Sequence, residues 1–274
     1  MASQIQIGDL TVNRLGFGAM RVCGPNIWGP PSDRGNALAV LRKAFELGLN
    51  FFDTADSYGP HVDEELIAEA LHPYPKGLVI ATKGGLLRPR PGAWDPDGRP
   101  EHLKRALDGS LKRLKLERID LYQLHAPDSK VPFADSVGAL ADGQRAGKIR
   151  HIGVSNVSVR QLEEARKICP IVSVQNRYNL DDRSSEAVLK DCEKLGIAFL
   201  PWYPLGAGSA LTNSRIKQTA AKVKAKPSQV ALAWLLAKSP VMLPIPRTAD
   251  LKHLEQNAAA ATLVLSASEL AALD

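Results

Sequence analysis

The stretch ELGLNFFDTADSYGP (residues 46–60) holds the end of one element, the whole of the next and the start of a loop. Gly48 stands where a helix would leave its path, because glycine enters the left-handed region without steric cost. Residues 50–52 then read as an apolar strand that stops at a carboxylate, Asp53, with Tyr58 and Gly59 in the loop beyond. A charge at the end of a buried strand is costly unless a neighbour needs it. The rest of the chain must therefore supply a partner for Asp53.

The same alternation repeats on both sides of this stretch. The strand-like runs RLGFGA, NFFD, GLVIATK, IDLYQLH, IRHIGVS, IVSVQN, IAFLPW and VMLPIP are each followed by a segment of helical period. Those segments are residues 32–47, 62–71, 100–114, 131–146, 159–168, 184–195, 213–224 and 249–259. Continuous apolar strands alternating with amphipathic helices predict a parallel sheet covered by helices. Eight such units in 274 residues predict an α/β fold of the closed (β/α)8 TIM-barrel kind, as one domain over residues 1–274. QIQIGDLTV (residues 4–12) alternates around Gly8-Asp9 and reads as a β-hairpin that caps the barrel. Extra helices are expected near the C-terminus: residues 227–238, with Val230, Ala231, Trp234 and Leu235 on one stripe, and the final LSASELAALD. GGLLRPRPGAWDPDGR (residues 84–99) is a long irregular segment after the third strand, placed to hang over the barrel mouth.

Composition excludes a disordered or fibrous chain: 45% of residues are hydrophobic and 23% charged. The net charge of +6 is spread along the chain, which helps an anionic ligand and does not form a nucleic-acid footprint. Three cysteines, Cys23, Cys169 and Cys192, without a CxxC pair suit a reducing compartment. MASQIQIGDL is not a basic-plus-apolar leader, and no run approaches the ~20 apolar residues of a membrane span. The expectation is a cytoplasmic protein, a monomer or weak homo-oligomer, acting without membrane or nucleic acid.

In such a barrel the reactive groups sit at the C-terminal ends of the strands. Asp53, Lys83 and His125 end strands two, three and four, and Tyr58 lies just beyond Asp53. A phenol beside an ammonium and an imidazole is a candidate proton donor, its pKa expected to be lowered by the positive charge. Singly these residues read as a turn aspartate, a surface lysine and a core histidine; four on three adjacent strand ends read as a site. Ser155 and Asn156 end strand five and Gln175 lies on strand six, three neutral groups suited to a carboxamide. PWYPLGAGS (residues 201–209) brings a flat ring, Trp202, with Tyr203, then Leu205 and Gly206, whose backbone N–H groups suit a pyrophosphate. Arg247 and Thr248, with Lys252 or His253 in the next helix, suit a ribose 2′-phosphate. No GxGxxG occurs, so a dinucleotide here would not sit in a Rossmann turn.

FDTADSYG, ATKGG, LYQLHAPD, GKIRHIGVSN, VQNRYN, PWYPLG and IPRTADLKHLEQN follow one another in an order that resembles the aldo-keto reductases over essentially the whole chain. The resemblance implies a barrel that binds NADPH and reduces a small-molecule carbonyl by direct hydride transfer, with no metal. It implies catalysis by Asp53, Tyr58, Lys83 and His125, with Tyr58 as general acid. It implies a nicotinamide amide held by Ser155, Asn156 and Gln175, a ring on Trp202, adenine against Gln256 and Asn257, and Met20 and Arg21 in the cofactor set. His253 stands where the family usually has arginine, and Arg247 where it has lysine, so NADH use stays open. The short C-terminus implies an open substrate site built by residues 23–31 with Trp28, and by Trp94, beside Tyr58 and His125. A narrower likeness is to bacterial reductases that interconvert pyridoxal and pyridoxine. An NADPH-binding regulatory barrel with little turnover is the alternative from another class.

Overall fold

The computed structural model describes residues 4–274. β1 (Gln4–Ile7) and β2 (Leu10–Asn13) pair antiparallel around Gly8, at φ +62°, and Asp9. Ile7, Leu10 and Val12 share one buried cluster with Phe51, Val79 and Ala198, the first residues of three barrel strands. The hairpin therefore plugs the N-terminal end of the barrel and leaves the other end for chemistry.

Seven strands form one parallel sheet: β3 (Phe17–Gly18), β4 (Phe51–Asp53), β5 (Val79–Gly84), β8 (Ile119–Leu124), β9 (Ile149–Ser155), β10 (Ile171–Gln175) and β11 (Ala198–Phe199). The eighth run, VMLPIP, forms no continuous ladder, yet it closes the ring. Gly16 and Gly18 donate their N–H groups to the carbonyls of Pro244 and Pro246 at 2.9 and 3.0 Å. On its other side Phe199 N donates to Val241 O and Leu243 N to Phe199 O, both at 2.8 Å. Prolines 244 and 246 have no N–H to return to β3, so that seam is half bonded.

The helices are α1 (Arg34–Glu46), α2 (Val62–Leu71), α3 (Pro100–Leu114), α4 (Phe133–Arg145), α5 (Val159–Ile168), α6 (Glu186–Leu195), α7 (Ser209–Thr212), α8 (Ser214–Lys222), α9 (Pro227–Lys238), α10 (Leu251–Ala259) and α11 (Ala267–Leu273). Their ends are chemically marked. Asp33 caps α1 by accepting from Asn36 N, Ser158 and Gln161 form a capping box on α5, and Gly196 ends α6 at φ +66°. α9 is buried on most of its circumference rather than along one stripe, with Leu232 and Ala233 enclosed as fully as Val230, Trp234 and Leu235. Segment 84–99 is tied down: β6 (Leu86–Leu87) pairs with β7 (Asp95–Pro96), and Gly98 N donates to Asp128 Oδ2 at 3.1 Å.

Candidate active site

The parallel register sets the ends of β4, β5 and β8 side by side, Asp53 opposite Ala81 and Lys83 opposite Gln123. The Lys83 side chain is fully buried and its ammonium has three neighbours: Asp53 Oδ2 at 2.8 Å, Thr54 O at 2.8 Å and Tyr58 Oη at 3.5 Å. Three acceptors match its three N–H groups, which is what makes a buried ammonium tolerable. Burial is the largest single influence on Lys83 and works against its charge, but the Asp53 charge, Tyr58 and their hydrogen bonds together hold its pKa above the ordinary lysine value. Lys83 is thus the partner that the carboxylate at the strand end requires.

Tyr58 behaves differently from the expectation of a lowered phenol. Burial dominates and pushes its pKa up to about 12, with Lys83 pulling down and Asp53 pushing up. The phenol therefore keeps its proton through the neutral range, the form a proton donor needs. Burial, then the Lys83 charge, hold His125 well below the ordinary histidine value, so its imidazole is neutral. Its Nδ1 lies 3.3 Å from Ser57 Oγ, and its ring meets Tyr58 edge-on at 5.8 Å between centroids.

The neutral groups are tied into the same network. Gln175 donates Nε2–H to Asp53 Oδ1 at 2.7 Å, and Gln123 Nε2 lies 3.4 Å from the same oxygen. Ser155 Oγ donates to Gln175 O at 2.7 Å, and Asn156 donates to His125 O at 2.9 Å. Trp202 Nε1 donates to Asn156 Oδ1 at 3.0 Å, while Asn156 itself sits at φ +59°, a conformation asparagine tolerates better than most residues.

Two cavities meet at this rim. One of about 260 Å³ has Asp53, Tyr58 and His125 among its lining, with Trp94 and Trp202; Met20, Ser155, Asn156 and Gln175 also reach it. The other, of about 360 Å³, is lined by Arg21, Leu205, Thr248, His253, Gln256 and Asn257, with Lys226 and Ser228. Tyr203 and Arg247 line both, and the Arg247 guanidinium lies 4.0 Å from the centre of the Tyr203 ring. The larger cavity carries three full cations, Arg21, Lys226 and Arg247, and no carboxylate in its lining.

Four residues expected at the site line neither cavity. Lys83 lies behind Tyr58, its Nζ 3.5 Å from the phenol oxygen. Gly206 serves the turn, at φ +55° with its N–H on Tyr203 O. Trp28 faces Arg88 at 5.6 Å from guanidinium to ring centre, one layer out from the cavity. Lys252, offered with His253 for a phosphate, is exposed outside both cavities. Two residues beside the site, Gln123 and Arg88, carry no local sequence signal: the first reaches Asp53 only through strand register and the second depends on which loops meet. Among the described residues no group of three or more His, Cys, Asp or Glu is arranged to hold a metal, and no helix is long and apolar enough to cross a membrane.

The chain is 49% identical over 274 residues to an uncharacterised oxidoreductase of Schizosaccharomyces pombe, covering all of this chain and 89% of that protein. It is 44% identical to the pyridoxine 4-dehydrogenase of Escherichia coli K12, covering 98% of this chain and 96% of that one. The crystal structure of an aldo/keto reductase from Klebsiella pneumoniae in complex with NADP and acetate superposes with a TM-score of 0.85 at 27% identity, over 100% of this chain and 95% of that one. The sequence pattern of that family matches residues 14–274. With the strand-end quartet, the barrel and the match in agreement, the chain belongs to the aldo/keto reductase family.

Proposed function

We propose that this protein reduces an aldehyde or ketone to the alcohol with NADPH, Tyr58 delivering the proton. The observation that carries the reading is a buried, protonated phenol beside a charged lysine, at a cavity that opens into a second, cationic one.

The donor set of the larger cavity fits the group. Arg21, Lys226 and Arg247 would meet phosphates with no carboxylate to repel them, and Thr248 and His253 would complete a 2′-phosphate clamp. Gln256 and Asn257 would meet adenine, and Trp202 with Asn156 would hold the nicotinamide end. When bound, NADPH supplies the hydride. Tyr58 Oη donates its proton to the substrate oxygen, and Lys83 stabilises the phenolate left behind. Asp53 keeps Lys83 charged and aimed. With Nδ1 accepting from Ser57, the neutral His125 has Nε2–H free to orient the carbonyl oxygen.

The test is NADPH oxidation with simple aldehydes, α-keto compounds, sugar-like ketones and pyridoxal, repeated with NADH. Tyr58→Phe is expected to abolish turnover and leave NADPH binding nearly intact; retained turnover in that variant removes the assignment. A second reading, interconversion of pyridoxal and pyridoxine specifically, is favoured by the 44% identity to the E. coli enzyme. It requires pyridoxal to exceed every other compound in kcat/KM, and equal values across the panel would reject it.

A further inference from the structure

Three loops form the substrate end of the smaller cavity: residues 24–31, residues 54–60 and residues 84–99. Each brings a lining residue, Ile27, Tyr58 and Trp94 respectively. Arg88 joins all three. Its Nη1 donates to Ile27 O at 3.0 Å and lies 3.4 Å from Ser57 O, and its Nη2 donates to Asn26 O at 3.1 Å. Its guanidinium lies over the site's aromatic wall, 3.8 Å from the centre of the Trp94 ring and 5.6 Å from that of Trp28. For an arginine it is unusually enclosed, at 8% exposure.

Two of the three residues whose carbonyls face Arg88 are strained. Asn26 and Ile27 both have left-handed backbones, at φ +57° and +58°. Asparagine accepts that conformation, but a β-branched isoleucine resists it, so Ile27 stays there only because its surroundings hold it. Ile27 O accepts from both Arg88 and the N–H of Gly59, and its side chain lines the cavity. The third contact reaches the catalytic loop, since Ser57, whose carbonyl faces Arg88, meets His125 through its hydroxyl.

We propose that Arg88 is a positioning residue that assembles the substrate end of the pocket from these three loops and thereby sets which carbonyl compounds the enzyme accepts; this rests on the reductase reading above. No other side chain fits the role. A lysine would bring a point charge without the planar face that lies on Trp94 or the fork that serves two neighbouring carbonyls. Trp94 in turn meets Tyr58 edge-on at 6.2 Å and His125 at 6.5 Å. Releasing Arg88 therefore loosens the wall that a bulky substrate touches, while the cationic cavity for the cofactor is left alone.

The experiment compares Arg88→Ala and Arg88→Lys with Arg90→Ala, an exposed residue of the same loop, as control. KM and kcat are measured for an aromatic aldehyde and for propanal, NADPH affinity by fluorescence titration, and loop assembly by protease nicking within residues 84–99. The expected result is a rise of about 10- to 100-fold in KM for the aromatic aldehyde in both Arg88 variants, from loss of the hydrogen-bonded and cation–π contacts. Propanal kcat and NADPH affinity are expected to change by less than about 3-fold, with faster nicking than in Arg90→Ala. Unchanged aromatic KM overturns the proposal, and so does a parallel loss of NADPH affinity and of kcat on both substrates, which would mark a general structural role. If the wild type reduces neither compound, the reductase reading fails separately; nicking at the control rate would then overturn the Arg88 assignment as well, and faster nicking would uphold the assembly it describes.

Discussion

Gln175 donates its side-chain amide to Asp53 Oδ1 at 2.7 Å, reaching across the barrel interior from β10 to β4. Asp53 is thereby held from two sides, Lys83 on Oδ2 and Gln175 on Oδ1. A residue assigned from sequence to a carboxamide ligand thus also fixes the orientation of the Asp53 carboxylate. Gln175→Leu should lower the rate of hydride transfer as well as weaken NADPH binding. A hydrogen bond to a charged group contributes about 1.5–3 kcal/mol, so each effect should reach about 10-fold. Single-turnover kinetics at saturating NADPH separate the two; an unchanged transfer rate would confine Gln175 to the cofactor.

The acid form of Tyr58 makes a second prediction, on pH. In the proposed mechanism reduction consumes the phenol proton, so activity would depend on the protonated fraction. With its pKa pushed up by burial to about 12, that fraction is constant through the neutral range. The kcat for reduction should therefore be flat from about pH 6 to 9 and fall only in strongly alkaline solution. His125, held neutral well below its ordinary pKa, adds no step in that window. A tenfold fall between pH 6 and 8 would identify some other group as the acid.

Much of this site is legible from residue order because the barrel places strand ends together whatever lies between them. Asp53, Lys83 and His125 each stand at the end of a strand-like run, and it is their coincidence on three successive strands that marks them. The pKa of Tyr58 was not legible, since its direction depends on how deeply the phenol is enclosed and not on the presence of Lys83 alone. Gln123 reaches Asp53 only through the register that sets it opposite Lys83, and Arg88 is one of several loop arginines until the loops meet. The eighth strand reads as a strand from its apolar residues, yet Pro244 and Pro246 leave it half bonded to β3.

Arg247 joins the two cavities, stacked on Tyr203 with Nη1 3.6 Å from Met20 Sδ. As the cation nearest both ends of the proposed NADPH path, it should contribute charge-assisted bonds to phosphate. Arg247→Ala is expected to raise the NADPH Kd by about 10- to 100-fold, corresponding to ~1.5–3 kcal/mol. The loss for NADH should be smaller, and the wild-type preference for NADPH should shrink as salt is raised. Titration of both nucleotides at two ionic strengths checks this; equal losses for both would place Arg247 away from the 2′-phosphate.

Asp63 offers a prediction on stability rather than turnover. It is buried in the first turn of α2, with Thr54 donating to Oδ2 at 2.8 Å and with no partner for Oδ1. Burial, against the Thr54 hydrogen bond and with help from nearby Glu64, raises its pKa from 3.8 to about 7. The sign follows from proton counting. Between about 4 and 7 the folded carboxyl keeps a proton that the unfolded chain has lost, so raising the pH across that window removes stability. Below the window the stabilisation is fully present, and above the folded pKa it is gone. Asp63→Asn mimics the protonated acid at every pH and keeps an oxygen for Thr54. It should match the wild type near pH 4 and exceed it near pH 8 by more than ~1 kcal/mol, since one pKa unit is worth about 1.4 kcal/mol. Urea midpoints at both pH values measure the difference, and a variant gaining nothing at pH 8 would show that Asp63 ionises in the folded protein without cost.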